Sequence, residues 1–222
     1  MGEINFFGNS SRSSVQRLAI IKKYQESGVS ASYMQYGQDY FDNPEHPLGY
    51  HGYKYDGRYA LSVAKIVEHY KLTPGMSILE IGCAKGFVLV EFLKLGMKIA
   101  GFDYSQYALV NSHPDVKNFV SRGSIDSLPF KDGQFDLVLA KEILPHVPGK
   151  ILRKSLRECK RVSKGAIFFE IQCGRTECEQ EYMRLWDRTH QVAESPSWWN
   201  AVLGEEKIQC DVHYNVLVSE ED

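Results

Sequence analysis

The sequence predicts an α/β fold in which a doubly wound, mostly parallel sheet carries helices on both faces. Between residues 58 and 171, short apolar runs alternate with amphipathic segments of helical period. Strands that alternate with helices at this spacing form right-handed βαβ units, which assemble a parallel sheet. A chain of 222 residues, 43% of them apolar, is long enough for one sizeable domain of this class with a full core.

Each element of the alternating region is marked by its residue pattern and by the turn residues around it. The first helix is expected from about Arg58 to Lys71, and Thr73-Pro74-Gly75 ends it. The predicted strands are, in chain order, SILEI, KIAGF, NFV, FDLVLA and GAIFFEI. The predicted helices between them are GFVLVEFLKL, SQYALVNS and KILRKSLRECKRVS.

Two regions lie outside this alternation. Near the N-terminus, VQRLAIIKKYQESG has helical spacing and is followed by a tyrosine-rich stretch without a regular period. A long loop of this kind is usually functional or disordered, and its aromatic content argues against disorder. Near the C-terminus we expect one or two helices interrupted at Ser195-Pro196, then two closing strands, KIQCDV and YNVLV, and a solvated acidic tail, SEED.

Charge and cysteine content narrow the classes of function. The formal net charge of −2, with both signs mixed along the chain, gives no clustered basic face, so no nucleic-acid partner is expected. No secretory pattern and no apolar run of membrane-spanning length is present, which predicts a cytoplasmic protein without a membrane partner. The five cysteines lack repeated spacing, which favours reduced thiols, and no metal site is predicted.

The stretch ILEIGCAKGF, residues 78–87, has the pattern of a buried strand, a glycine turn and the start of a helix. A dinucleotide fold needs G-x-G-x-x-G at such a turn. Placed on Gly82, this template puts Ala84 and Phe87 at its second and third glycines, and both positions fail. Glu80 would also repel a pyrophosphate, whereas it would suit a positively charged, phosphate-free cofactor such as S-adenosylmethionine.

Three stretches together resemble the motifs of class I S-adenosylmethionine-dependent methyltransferases. LEIGCAKG resembles the first motif, IAGFDYS ends a second strand in the acid Asp103, and GSIDSLPFKDGQFDLVLAKEILPHV resembles the adenine segment with the fourth strand. The resemblance covers about Tyr50 to Ile171. It implies S-adenosylmethionine as the cofactor and a Rossmann-like sheet of seven strands with the last one antiparallel.

The resemblance also assigns cofactor roles to individual positions. It implies that Gly82, Cys83 and Ala84 form the turn beside the methionine moiety, with Glu80 near its ammonium group. Further along the chain, it implies ribose binding by Asp103 with Tyr104 beside it, adenine binding by the Ile125 amide and the Asp126 side chain, and a place for Lys141 near the methionine carboxylate. Ala84 departs from the glycine that is commoner in the family.

Each of these positions also has a purely structural alternative. The glycine turn alone could be a tight turn without a ligand, Asp103 could cap the helix near Gln106, and Asp126 could organise a turn. Because the three signals appear in the family's order, they favour a cofactor site.

The residues that would bind and activate the methyl acceptor are less defined by the sequence. Methyl transfer to a hydroxyl or an amine needs a base, for which His146 and His190 are the candidates, although each could be a structural histidine. Tyr53, Tyr55 and Arg58 are candidates for a lid, and Trp198 for a substrate contact; core packing is the alternative for these residues.

The family resemblance also divides the chain and ranks its functions. Residues 1–57 are assigned to an N-terminal helix and tyrosine-rich lid segment, and 58–222 to a methyltransferase domain with a substrate-site insertion at 174–204. The full pattern is similar to bacterial small-molecule methyltransferases, some of which modify sugars. We therefore rank O-methylation of a sugar or related metabolite first and N-methylation of a small amine second; a nicotinamide-dependent oxidoreductase and a non-catalytic cofactor-binding protein are the rivals. The sequence does not determine the oligomeric state, for which we consider a homodimer.

Overall fold

A computed structural model describes residues 2–8, 19, 21 and 28–217 of the chain. Its strands are β1 Ser77–Ile81, β2 Lys98–Asp103, β3 Val120–Arg122, β4 Phe135–Lys141, β5 Ser163–Cys173 and β6 Asp211–Val216. These six strands of the described ranges form one sheet in the order β3-β2-β1-β4-β5-β6, and every neighbouring pair is parallel. The predicted α/β class and the parallel sheet are confirmed.

Helices connect the strands and flank them. Their bounds are α1 Ala31–Met34, α2 Gln38–Phe41, α3 Ala60–His69, α4 Phe87–Lys94, α5 Gln106–Val110, α6 Gly149–Val162, α7 Glu177–Trp186 and α8 Pro196–Glu205. Two short 3-10 turns cover Pro114–Phe119 and Leu144–His146. In the part of the chain that the structure describes, no helix is both long and apolar enough to cross a bilayer.

Alternation along the strands divides the core between the two faces of the sheet. On β1, Leu79 and Ile81 pack in a cluster with Leu156 of α6 and Trp199 of α8. The next residue along, Ile78, faces the other way and packs with apolar side chains of α3 and α4. Successive strand residues point to opposite faces, so this one strand contributes to both halves of the core.

The expected seven-stranded sheet with an antiparallel last strand is wrong for the described residues. The stretches KIQCDV and YNVLV contribute to one strand, β6, which pairs in parallel with β5 from Phe168↔Asp211 to Cys173↔Val216. A single residue, His213, separates the two stretches, and a strand reversal needs at least a two-residue turn. The outer edge of β6 is met by the N-terminus, where Ile4 N donates to Val212 O at 2.8 Å and Val212 N donates to Gly2 O at 2.9 Å.

The tyrosine-rich segment, residues 29–59, packs over the carboxyl edge of the sheet. Its core joins Tyr33, Tyr40 and Phe41 to Leu185 and Trp186 of α7. The predicted interruption between two C-terminal helices is confirmed. It is longer than expected, because α7 ends at Trp186 and α8 begins only at Pro196. The helix predicted over VQRLAIIKKYQESG and the SEED tail lie mostly or wholly outside the described residues.

Candidate active site

The turn after β1 is held in left-handed backbone conformations at three positions. Gly82, Ala84 and Gly86 have φ values of 73°, 47° and 75°. A Cβ atom on Gly82 would lie 2.0 Å from Cγ2 of Ile143, so only glycine fits there. Ala84 accepts the less favourable conformation because its amide donates to Oδ2 of Asp103 at 2.7 Å. The turn and the end of β2 are thereby joined by one hydrogen bond.

Asp103 lies at the end of β2 and faces the space above this turn. Its Oδ1 accepts from the amide of Ser105 at 2.7 Å, so each carboxylate oxygen already has one backbone donor. A carboxylate oxygen has a second lone pair, which leaves acceptor capacity for two ligand hydroxyls. The alternative of a helix cap does not apply, because Ser105 is the N-cap of α5 and accepts from Ala108 N at 2.9 Å.

Glu80 is a buried carboxyl group, and one of its two oxygens lacks a hydrogen-bond donor. Its side chain is almost fully enclosed, and Oε2 has no hydrogen-bond partner among the described residues. Burial raises the pKa of Glu80 well above its usual value, against the opposing effect of Lys141. A buried acceptor of this kind is satisfied by a ligand that brings a positive charge.

A cavity of about 750 Å³ runs from the glycine turn to the carboxyl ends of β4, β5 and β6. Its lining includes, from the predicted cofactor set, Glu80, Gly82, Ala84, Asp103 and Ile125. The tyrosine-rich segment forms the roof with Tyr36, Tyr40, Tyr50, Tyr53 and Tyr59. The volume is at the upper end of the usual range for small-molecule sites, about 300–1,000 Å³.

The far end of the cavity is a cluster of polar side chains, here called the polar cluster: Lys141, Glu142, Glu170, Gln172 and Asn215. Lys141 Nζ lies 2.7 Å from Glu142 Oε2 and 3.3 Å from Glu170 Oε2, and the second contact is an ion pair without a hydrogen bond. Burial lowers the pKa of Lys141, but Glu142 and Glu170 outweigh it and hold the pKa well above its usual value. Glu142 also has a left-handed backbone, with φ 59°, and accepts from Asn215 Nδ2 at 2.7 Å.

His146 stands at the cavity wall between the two ends, in the 3-10 turn after β4. Its Nδ1 lies 2.9 Å from Oγ1 of Thr189, whose hydroxyl is 2.7 Å from Oδ1 of Asp187. Burial and the neighbouring His190 lower the pKa of His146 to about 4. The imidazole is therefore neutral at neutral pH.

Asp187 collects donors from two separate parts of the chain. It accepts from the phenols of Tyr33 at 2.9 Å and Tyr40 at 2.8 Å, and from the amide of Thr189 at 2.9 Å. Burial raises its pKa, but the two imidazoles and the bonds from Thr189 reverse this and hold it well below the usual value. Asp187 is thus ionised and fully engaged.

Residues 79–169 match the family model described as a methyltransferase domain. This match covers about two fifths of the chain and supports a class I S-adenosylmethionine-dependent methyltransferase fold and family for that segment. A sterol 24-C-methyltransferase of Gibberella zeae is 32% identical over 116 residues, covering 46% of this chain and 30% of its own. An uncharacterized methyltransferase of Synechocystis sp. is 30% identical over 111 residues, covering 49% and 52%. This chain therefore spans about half or less of the length of these relatives.

Solved structures show the same fold as this chain. The YcgJ protein of Bacillus subtilis superposes with a TM-score of 0.56 at 21% identity, over 66% of this chain and 70% of its own. A SAM-dependent methyltransferase of Archaeoglobus fulgidus gives 0.56 at 18% identity, over 66% of each chain. The comparisons indicate S-adenosylmethionine as the cofactor, and they disfavour the rival hypothesis of a nicotinamide-dependent oxidoreductase.

The fold brings most, but not all, of the predicted cofactor residues to the cavity. Cys83, Tyr104 and Lys141 line it together with the five named above. Asp126 does not line it, since Oδ1 accepts from Ser124 and Oδ2 from Lys154 Nζ at 3.1 Å. The adenine role of its side chain stays a prediction that this geometry does not support.

The predicted lid residues divide in the same way. Tyr53 lines the cavity and stacks on Phe87 at 4.7 Å, and Arg58 lines it while its guanidinium pairs with Asp56. Tyr55 points elsewhere and bonds Glu91 and Lys94. Trp198 lies outside this cavity, against Trp199 of the same helix at 5.2 Å between ring centroids.

His190, the other candidate base, does not line the cavity. Its Nδ1 lies 3.0 Å from Met183 O and its Nε2 lies 2.7 Å from Gln172 Oε1, so both nitrogens are engaged inside the protein. Its ring lies 4.5 Å from that of His146. The group His146, Asp187 and His190 could in principle ligate a metal, with ligand atoms within 4.8 Å of one another, but the hydrogen bonds above already engage each residue.

Sequence reasoning singled out Lys141 but missed the other four members of the polar cluster and the pair Thr189 and Asp187. A signal for the cluster exists: polar residues appear at alternate positions near the ends of two apolar strands, Glu170 with Gln172 and His213 with Asn215. Asp187 and Thr189 carry no comparable signal, because they lie in the irregular stretch after α7.

Proposed function

We propose that this protein transfers a methyl group from S-adenosylmethionine to a hydroxyl group of a small polar molecule, such as a sugar or a related metabolite. The observation that carries the proposal is the single cavity that joins the glycine turn to His146 and the polar cluster. In most methyl transfers of this type the donor and the acceptor must share one enclosed space.

The residues of the turn fit a cofactor that is cationic and carries no phosphate. Glu80 offers a buried carboxylate oxygen without a partner, and Asp103 offers acceptor capacity for two hydroxyls. Ile125 and Tyr104 also line the cavity and contribute apolar surface to it. S-adenosylmethionine supplies an activated methyl group on a sulfonium and, when bound here, would hold its ammonium near Glu80 and its ribose near Asp103.

His146 is the residue we assign as general base. The cofactor would supply the methyl group, and His146 would take the hydroxyl proton of the acceptor onto its imidazole during the transfer. The pKa of about 4 keeps His146 unprotonated, and therefore able to accept that proton, throughout the neutral range. The tyrosine roof covers this region with aromatic rings, an arrangement that favours the exclusion of water during the transfer.

The polar cluster supports a hydroxyl-rich acceptor. Glu142, Gln172 and Asn215 present hydrogen-bonding groups to the cavity. Fixed amide and carboxylate groups of this kind orient hydroxyl groups by hydrogen bonds. The proposal also includes a cytoplasmic location and a homodimer. Residues 174–204 are proposed to form a substrate-site insertion.

N-methylation of a small amine is the second candidate, and one observation favours it. Two carboxylates at the far end of the cavity, Glu142 and Glu170, pair with the same ammonium group, that of Lys141. The excess of negative charge would attract an acceptor that carries an ammonium group. An amine acceptor would need to lose its proton before attack, which again calls for His146.

Calorimetric titration with S-adenosylmethionine and with NADH tests the cofactor. We expect binding of the first and none of the second; the opposite result would overturn the proposal. Incubation with methyl-labelled cofactor and fractionated polar metabolites, followed by mass spectrometry, then tests the acceptor. A methyl ether as product supports the first candidate, and an N-methylated product replaces it by the second.

A further inference from the structure

We propose that Thr189 and Asp187 are positioning residues that fix His146 in the tautomer with its proton on Nδ1, so that Nε2 presents a lone pair to the cavity. The catalytic meaning of this arrangement rests on the proposed function, but the tautomer itself does not. Neither residue touches the reacting atoms in this proposal; both act through His146.

The direction of the Thr189 hydrogen bond follows from the chemistry of Asp187. An ionised carboxylate can only accept hydrogen bonds, and Oδ1 lies 2.7 Å from the Thr189 hydroxyl oxygen. The hydroxyl must therefore donate its proton to Asp187. Tyr33, Tyr40 and the Thr189 amide also donate to this carboxylate, which favours its ionised form.

The tautomer of His146 follows from the same count of protons. A threonine hydroxyl has one proton, and that proton is committed to Asp187. At 2.9 Å from Nδ1, the hydroxyl oxygen can then act only as an acceptor, so Nδ1 must carry a proton. In a neutral imidazole this leaves the lone pair on Nε2, the nitrogen on the side of the ring away from Thr189.

The arrangement also stabilises the charge that forms when His146 accepts a proton. On protonation at Nε2, the imidazolium keeps its Nδ1–H bond to Thr189, and Asp187 lies one hydroxyl group away. The other titratable groups around the ring are His190 at 4.5 Å between centroids, Tyr36 at 5.9 Å, and Glu142. Of these, His190 opposes the charge and Glu142 favours it.

Nitrogen NMR of the full chain labelled with ¹⁵N-histidine tests the tautomer without any need for the acceptor. His146→Gln identifies the resonances of residue 146 among the seven histidines. In the wild type at neutral pH we expect Nδ1 to be protonated and Nε2 to be bare. Thr189→Val removes the hydroxyl at nearly constant volume and should shift the population toward the Nε2–H form, whereas Thr189→Ser should retain the wild-type form.

Two NMR results would overturn the inference. One is an Nε2–H tautomer in the wild type, and the other is a Thr189→Val spectrum in which residue 146 is unchanged. A metal bound by His146 and His190 would instead shift both sets of resonances on treatment with EDTA and restore them on addition of Zn²⁺, and this outcome also overturns it. Titration with S-adenosylmethionine confirms that each variant is folded.

Kinetics test the functional meaning once an acceptor has been found. Thr189→Val should lower kcat by about tenfold to a hundredfold with little change in KM for the cofactor, and Thr189→Ser should recover most of it. Equal kcat in the wild type and the valine variant would overturn the positioning role. Failure to find any acceptor would count against the proposed function alone, because the tautomer is measured independently.

Discussion

The ammonium group of Lys85 lies 2.7 and 2.6 Å from the two carboxylate oxygens of Asp42. Lys85 belongs to the glycine turn, whereas Asp42 belongs to the tyrosine-rich segment that roofs the cavity. The lysine side chain is only 7% exposed and the aspartate 23%. Lys85 also donates to the carbonyl of Tyr53 at 2.9 Å, so this one charge fastens the roof to the cofactor turn.

Replacing Lys85 by methionine should destabilise the protein strongly. The change leaves Asp42 partly buried without its cation, which costs about 3 kcal/mol in free energy of unfolding. Denaturant unfolding followed by circular dichroism measures the loss.

Lys164→Met is the matched control for this prediction. Lys164 pairs with Asp136 at a similar distance, 2.7 Å, but its side chain is 49% exposed. An exposed pair contributes about 1 kcal/mol or less. Equal losses in the two variants would show that the Lys85 pair has no special role in holding the roof.

Asp103→Ala should weaken binding of S-adenosylmethionine by about a hundredfold or more, because two hydrogen bonds to the ribose are lost. Each hydrogen bond to a charged group contributes about 1.5–3 kcal/mol, and the ribose would lose its carboxylate acceptor. The free energy of unfolding should fall as well, because the amides of Ala84 and Ser105 lose their partner. Calorimetric titration and thermal unfolding separate the two effects.

Asp126→Ala is the control for the cofactor residues. Its carboxylate bonds Ser124 and Lys154 outside the cavity lining, so we expect less than a threefold change in cofactor affinity. A loss as large as that of Asp103→Ala would restore the adenine role predicted from the sequence.

Binding of S-adenosylmethionine should release a proton from Glu80. Burial raises the pKa of this carboxyl well above its usual value, and a bound ammonium group favours the ionised form, so cofactor binding should lower that pKa. Cofactor affinity should therefore rise with pH between the pKa of Glu80 in the complex and its pKa in the free protein. Titrations in buffers of different ionisation enthalpy count the released proton.

Glu80→Gln removes this source of protons while keeping the shape of the side chain. Its binding enthalpy should not depend on the buffer, and its affinity should no longer rise with pH. A wild-type enthalpy that is equally independent of the buffer would contradict the prediction.

Acid should destabilise the protein through His146. Its pKa falls from 6.5 to about 4 on folding, so between these values the unfolded chain binds a proton that the folded protein does not. This contribution to the free energy of unfolding is complete above pH 6.5 and should decline by about 1–2 kcal/mol between pH 6.5 and pH 5. Urea unfolding at several pH values measures it.

The His146→Gln variant should have a flatter pH dependence in this window. Asp187 adds its own loss only at lower pH, because a carboxyl with a lowered pKa loses stability as pH falls below the usual value of 3.8. If the variant declines as steeply as the wild type, another group is responsible.

The sequence predicted the parts of the site that depend on local order along the chain. Gly82 and Asp103 follow their strands directly, and parallel strands bring their carboxyl ends to one edge, so the turn, the acid and the cavity edge could be inferred together. The pairing of β6 could not, because strand direction depends on the path of the chain between strands. The same limit separates His146 from His190: both follow strands or helices in plausible places, and only the tertiary structure shows which ring reaches the cavity.

The polar cluster shows a second limit. Glu170 and Asn215 lie on different strands that become neighbours only when β5 pairs with β6. Within the sequence each belongs to its own alternating polar pattern, Glu170 with Gln172 and Asn215 with His213, and neither pattern indicates that the two strands are neighbours. Their shared location near Glu142 arises from the sheet register, which no local pattern encodes.

The carboxylate of Asp187 fastens two segments that have different tasks. Two of its donors, Tyr33 and Tyr40, come from the roof, and the other two come from Thr189 beside His146. Lifting the roof at this point would remove half of the hydrogen-bond donors from the Asp187 carboxylate. A ligand exchange that lifted the roof would therefore also change the hydrogen bonding of the carboxylate that orients Thr189 and, through it, His146.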